Sequence, residues 1–179
     1  MKKKIFTIVS TLIALVMMAL IAPAAEAQSK VHYKSIVGVI TSPNVNNPVG
    51  TVNAGTFPWS VHSGHARVNL ATGATRFDVH GLVINGQIFS GTPGPVTAVT
   101  GTLVCNAGSP DEAKLDTEDV AIDSTGDASF NGMINGIPAT CDNPLFLIRI
   151  ATIANPANPN AARGAWIATG GERTFNSQD

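Results

Sequence analysis

The stretch VHSGHARVNLATGATRFDVHG, residues 61–81, decides how the chain is read. Apolar and polar residues alternate on both sides of Thr72-Gly73, the pattern of a β-hairpin with one buried face. A two-residue loop at Thr72-Gly73 predicts Val68 opposite Phe77 and Ala66 opposite Val79, giving an apolar face. On the other face it sets Asn69 against Arg76, Arg67 against Asp78 and His65 against His80. A slip of one residue would place Arg67 beside Phe77 and spoil both faces.

The same stretch holds three of the four histidines. Opposed residues have Cβ atoms about 4.5–5.5 Å apart, close enough for two imidazoles to share a metal. A bulge at Ser63-Gly64 would turn His62 toward the pair. His62, His65 and His80 are therefore the candidate metal ligands, with copper or zinc the metals such a set suits. The simpler reading is a solvent-facing sheet surface, where an Arg67–Asp78 pair beside polar histidines is ordinary.

Working outward, the rest of the chain repeats short apolar runs separated by Gly, Pro, Asn and Asp. Strands are expected at Ile36–Thr41, Trp59–Val61, His65–Ala71, Ala74–Ile84 and Gln87–Phe89. Others are expected at Val96–Cys105, Val120–Asp123, Ala128–Ile134, Leu145–Thr152 and Ala165–Thr169. Asn85-Gly86 and Ser124-Thr125-Gly126 read as turns. The best helical signal, Ser109-Pro110-Asp111-Glu112, has a capping serine, a proline at the first helical position and a glutamate behind it. It has room for a turn or two. The expected fold is an all-β, antiparallel sandwich, immunoglobulin-like in the broad sense, over residues 28–179.

Residues 1–27 read as a cleaved secretory signal. Lys2, Lys3 and Lys4 precede the apolar run from Ile5 to Leu20, and Ala25-Glu26-Ala27 offers small residues for cleavage before Gln28. No later run approaches the ~20 apolar residues of a membrane span. Three of the 11 basic residues and one of the 12 acids lie in 1–27, so the remainder carries 8 and 11, a formal net charge of −3. That balance argues against nucleic acid as a partner. Cys105 and Cys141, the only cysteines, are expected to form a disulfide in an exported, secreted or periplasmic protein.

Other candidates are weaker. Seven acids fall between Asp111 and Asp127, but EF-hand spacing is missing, and a solvated edge with a tight turn accounts for them. There is no G-x-S-x-G elbow and no phosphate-binding loop. Trp59 and Trp166 are either sugar platforms or core. Arg149, alone in the apolar run LFLIRIA, is either paired with an acid or on an edge. These observations favour a non-enzymatic exported protein that binds or assembles with a protein or glycan at the cell surface or in the medium. A metal-binding protein and a carbohydrate-binding module are the alternatives.

Overall fold

The computed structural model describes residues 30–41, 47–86, 88–155, 157–158 and 163–176. Residues 1–27, expected to be a secretory signal, lie outside them. Eleven strands follow in order: β1 (Lys30–Gly38), β2 (Trp59–Ser60), β3 (Ser63–Asn69), β4 (Ala74–His80), β5 (Val83–Ile84), β6 (Val96–Cys105), β7 (Ala113–Asp116), β8 (Val120–Ala121), β9 (Ala128–Met133), β10 (Leu145–Ile153) and β11 (Trp166–Asn176). Among the described residues no helix forms, so none is long and apolar enough to cross a membrane.

Nine strands form one sheet in the order β7-β6-β10-β11-β1-β3-β4-β9, with β8 also pairing with β6. All the ladders of this sheet are antiparallel. The chain is thus all-β, but eight of its strands follow one hydrogen-bonded path, and the two stacked sheets expected of a sandwich are not confirmed. The path curls into a half-barrel. Phe77 on β4 lies 5.7 Å, ring to ring, from Phe146 on β10, although three strands separate them along the sheet. Phe130 on β9 stacks on Phe77 at 6.0 Å, and Tyr33 on β1 meets Phe146 at 5.8 Å.

Gly101 on β6 makes the curl possible. A Cβ there would stand 2.7 Å from Phe146 and 2.9 Å from Phe77, so any side chain would push the two walls apart. Tyr33, Phe77 and Phe146 are buried. Truncating such a phenylalanine to alanine costs about 3–5 kcal/mol. Tyr33 keeps its polar end satisfied by donating its hydroxyl to Pro144 O at 2.8 Å. Burial pushes its phenol well above the usual range, opposed in part by Arg173.

The hairpin of β3 and β4 forms with the predicted faces but a different register. Ala66 stands opposite Phe77, Arg67 opposite Arg76, His65 opposite Asp78 and Ser63 opposite His80. The cause is Asn69. Its Oδ1 accepts from the Ala71 and Thr72 amides at 3.0 and 3.1 Å, and its carbonyl accepts from Gly73 N at 2.7 Å. The chain therefore turns over four residues, Leu70 to Gly73, with Gly73 at φ +80°. A shift of two residues keeps each face and exchanges every partner.

Three more expectations change. The single strand expected over Ala74–Ile84 breaks at Gly81, φ +63°, and Val83–Ile84 pairs instead with Trp59–Ser60 in a small second sheet. Ile88 and Phe89 lie in a turn rather than a strand, and Gln87 lies outside the described residues. Ser109–Glu112 is a turn, not a helix: Asp111 N donates to Ser109 Oγ at 3.1 Å, and strand β7 follows at once. The Glu112 carboxylate reaches Gly108 N at 2.7 Å and Thr51 N at 3.0 Å instead of its own turn. These bonds hold its pKa below the usual carboxylate value.

Candidate functional site

The disulfide forms. Cys105 ends β6, Cys141 precedes β10, and their Cα atoms are 4.7 Å apart. Asn106, next in the chain, accepts from Asp142 N at 2.8 Å and donates to Thr140 O at 3.2 Å, so the segment before β10 is braced against the end of β6. With a sequence separation of 36 residues, the chain-entropy relation gives about 3–4 kcal/mol of stabilisation. Cys105 is fully buried. The bond is a structural tie between neighbouring strands β6 and β10.

The histidines are spread along the hairpin. His65 Nε2 lies 3.4 Å from Asp78 Oδ2, which also accepts from Arg76 Nε at 2.9 Å. His80 does not face His65. Its Nδ1 lies 3.0 Å from Asp127 Oδ2, while Asp127 Oδ1 accepts from Gly81 N at 2.9 Å. The Asp127 hydrogen bond and charge raise the pKa of His80, and the same contact lowers that of Asp127. His62 is exposed and attached through its backbone, donating its amide to His80 O at 3.0 Å. A shallow groove beside the hairpin is lined by His32, Lys34, His65, Arg67 and His80, with His62 outside it. Among the described residues no three His, Cys, Asp or Glu side chains come together to hold a metal ion.

Five of the seven acids of residues 111–127, Glu112, Asp116, Asp119, Asp123 and Asp127, are engaged by protein partners. Asp123 Oδ1 accepts from the Thr125 and Asp127 amides at 2.8 and 2.9 Å and from the Thr125 hydroxyl, which ties the Ser124-Thr125-Gly126 turn and lowers its pKa. Asp116 pairs with Arg149 at 3.0 Å and Asp119 with Arg163 at 3.1 Å. Trp59 and Trp166 are buried, 4 % and 5 % exposed, so neither offers an open stacking face.

A cleft of about 660 Å³ opens at the end of the half-barrel where β6 starts and β10 ends. That is the size of a small-molecule site. One wall is the segment 51–57, which runs along the start of β11: Trp166 N donates to Asn53 O at 2.9 Å and Gly55 N to Trp166 O at 2.8 Å. The floor is apolar, with Trp59, Ile84, Val96 and Ile150. Lys114, Arg149 and Arg163 are also in the lining.

Arg149 reaches this position through a register shift in the pairing of β10 with β11, between Ile148 and Arg149. Such shifts re-aim side chains. Its Nε donates to Gly164 O at 2.8 Å, and its Nη1 to Asp116 Oδ1 at 3.0 Å and to Thr102 Oγ1 at 3.3 Å. The paired alternative expected for this residue is the one observed. Lys114 and Arg163 carry no signal in the sequence, because they reach the cleft from β7 and from the turn before β11.

No protein-family profile, no curated protein and no solved structure matches the chain.

Proposed function

We propose that this is an exported, non-enzymatic protein that binds a small ligand in the cleft between segment 51–57 and the ends of β6 and β10, at the cell surface or in the medium. The observation that carries the reading is the cleft: a lining of apolar side chains with three cations, of which Arg149 is held by several bonds, and a volume suited to one small molecule. The Cys105–Cys141 bond is compatible with an oxidising compartment. The pairs made by His65 and His80 account for the hairpin as a surface, which favours the cleft over the histidines as the place of binding.

The test is native mass spectrometry of residues 28–179 recovered from the medium or periplasm. Thr56 is exposed and lines the cleft, so Thr56→Trp fills it without entering the core. The expected result is a small bound mass on the wild type that is missing from the folded Thr56→Trp protein. The same mass on both proteins would move binding elsewhere. Protein found only inside the cell with both thiols free would overturn the exported compartment.

A further inference from the structure

We infer that the cleft takes an amphiphile with an apolar body and a single carboxylate head. This deepens, and rests on, the reading of the cleft as the binding site. Among the described residues its lining includes three cationic side chains and no Asp or Glu. Asp116 and Asp119, the partners of Arg149 and Arg163, are outside the lining. A ligand entering the cleft meets the cations first, with Asp116, Asp119 and, behind Thr51, Glu112 outside the lining.

The hydrogen bonds point the same way. Nε and Nη1 of Arg149 are taken, and Nη2 has no acceptor among the described residues. That nitrogen passes over Gly164 on the cleft wall, 2.8 Å from where a Cβ on Gly164 would stand. Among the described residues Arg163 is engaged through Nη1, toward Asp119 Oδ2 at 3.1 Å and Ala151 O at 2.9 Å. Lys114 Nζ donates to Thr51 Oγ1 at 2.9 Å, leaving two of its three N–H groups.

The free positions are all donors, so the matching group is an acceptor, and an anion gains most from them. Arg149 is held by several bonds with its side chain only 17 % exposed, so its fork is ordered before a ligand arrives and is less screened than a surface charge. The apolar part of the lining, Val52, Trp59, Ile84, Val96, Ile150 and Ile153, offers hydrocarbon. A sugar would leave hydroxyls unpaired there. A small inorganic anion would leave the apolar floor uncovered.

Titration calorimetry on the full mature chain, with decanoate, decan-1-ol and decyltrimethylammonium as probes, tests the inference. Decanoate is expected to bind about tenfold or more tightly than decanol, the gain of one charge-assisted hydrogen-bonded contact. The preference should shrink with added salt. Lys114→Gln with Arg163→Gln, both at exposed positions, should narrow the gap between decanoate and decanol by weakening decanoate, with the remaining preference carried by Arg149. Thr56→Trp should abolish both. Equal binding of decanoate and decanol by the wild type would overturn the carboxylate inference and leave the cleft standing as a binding site. Preference for the cationic probe would overturn it too. If no probe binds, the amphiphile is wrong, and the mass co-purifying with wild type but not Thr56→Trp decides the cleft separately.

Discussion

Two regions of this molecule gather charge, and they do so differently. On the hairpin, His65, Arg76 and Asp78 lie on an open sheet face, where His65 and Arg76 are about half exposed. At the cleft, Arg149 is held against Asp116, Thr102 and Gly164 beside a concave apolar floor. Charges on an open face mostly satisfy one another and water. A cation fixed at the mouth of an apolar concavity keeps donors for something else. The richer collection of chemical residue types is therefore not the better candidate site.

The largest test of this contrast is the disulfide, which ties down β10, the strand carrying Arg149. Changing Cys105 and Cys141 to serine should lower stability by about 3–4 kcal/mol, measured by urea unfolding, and weaken ligand binding at the cleft. Arg149→Met should cost about 2–3 kcal/mol, since it removes a set of charge-assisted bonds from a mostly buried side chain. The same unfolding curves read it. A loss near zero would make Arg149 no different from the hairpin arginines.

The hairpin predicts a pH effect instead. His80 is raised above its ordinary 6.5 by Asp127, so its contribution is complete below 6.5 and is lost as pH rises through its folded value. Asp127 is lowered from its ordinary 3.8, so its contribution is complete above 3.8 and is lost as pH falls through its folded value. The difference in Tm between wild type and His80→Asn should be largest between these values and should shrink above them. A difference that does not change with pH would remove the ion pair from the account. Smallest of all, Arg76→Gln should stay within about 0.5 kcal/mol of wild type, by the same unfolding measurement.

The sequence made the faces of the hairpin legible but not its partners. Alternation has a period of two, so it separates Ala66, Val68, Phe77 and Val79 from the outer residues while leaving shifts of two open. The Asn69 side chain, which pulls the turn back to Leu70–Gly73, chose between them. At the start of β1, Val31 and Tyr33 alternate with Lys30, His32 and Lys34, and this signal was available before Ile36. The end of β11 was harder to see, because Gly170 and Gly171 resemble a turn. They are small because a side chain at Gly170 would meet the Tyr33 ring at 2.5 Å. Arg149 was visible as the one charge in LFLIRIA. The cleft was not, since Lys114, Arg149 and Arg163 meet only after β7, β10 and the turn before β11 have been brought together by the curl of the sheet.

The central claim is that an amphiphilic carboxylate enters the cleft and not the hairpin face. Two-dimensional amide NMR of residues 28–179 during titration with decanoate tests it most directly. The account predicts shifts concentrated at Gly55, Trp59, Gly164 and Ala165, including the Trp59 indole, with Ser63 to His80 unmoved. Shifts centred on His32, His65 and His80, or none at saturating decanoate, would contradict it.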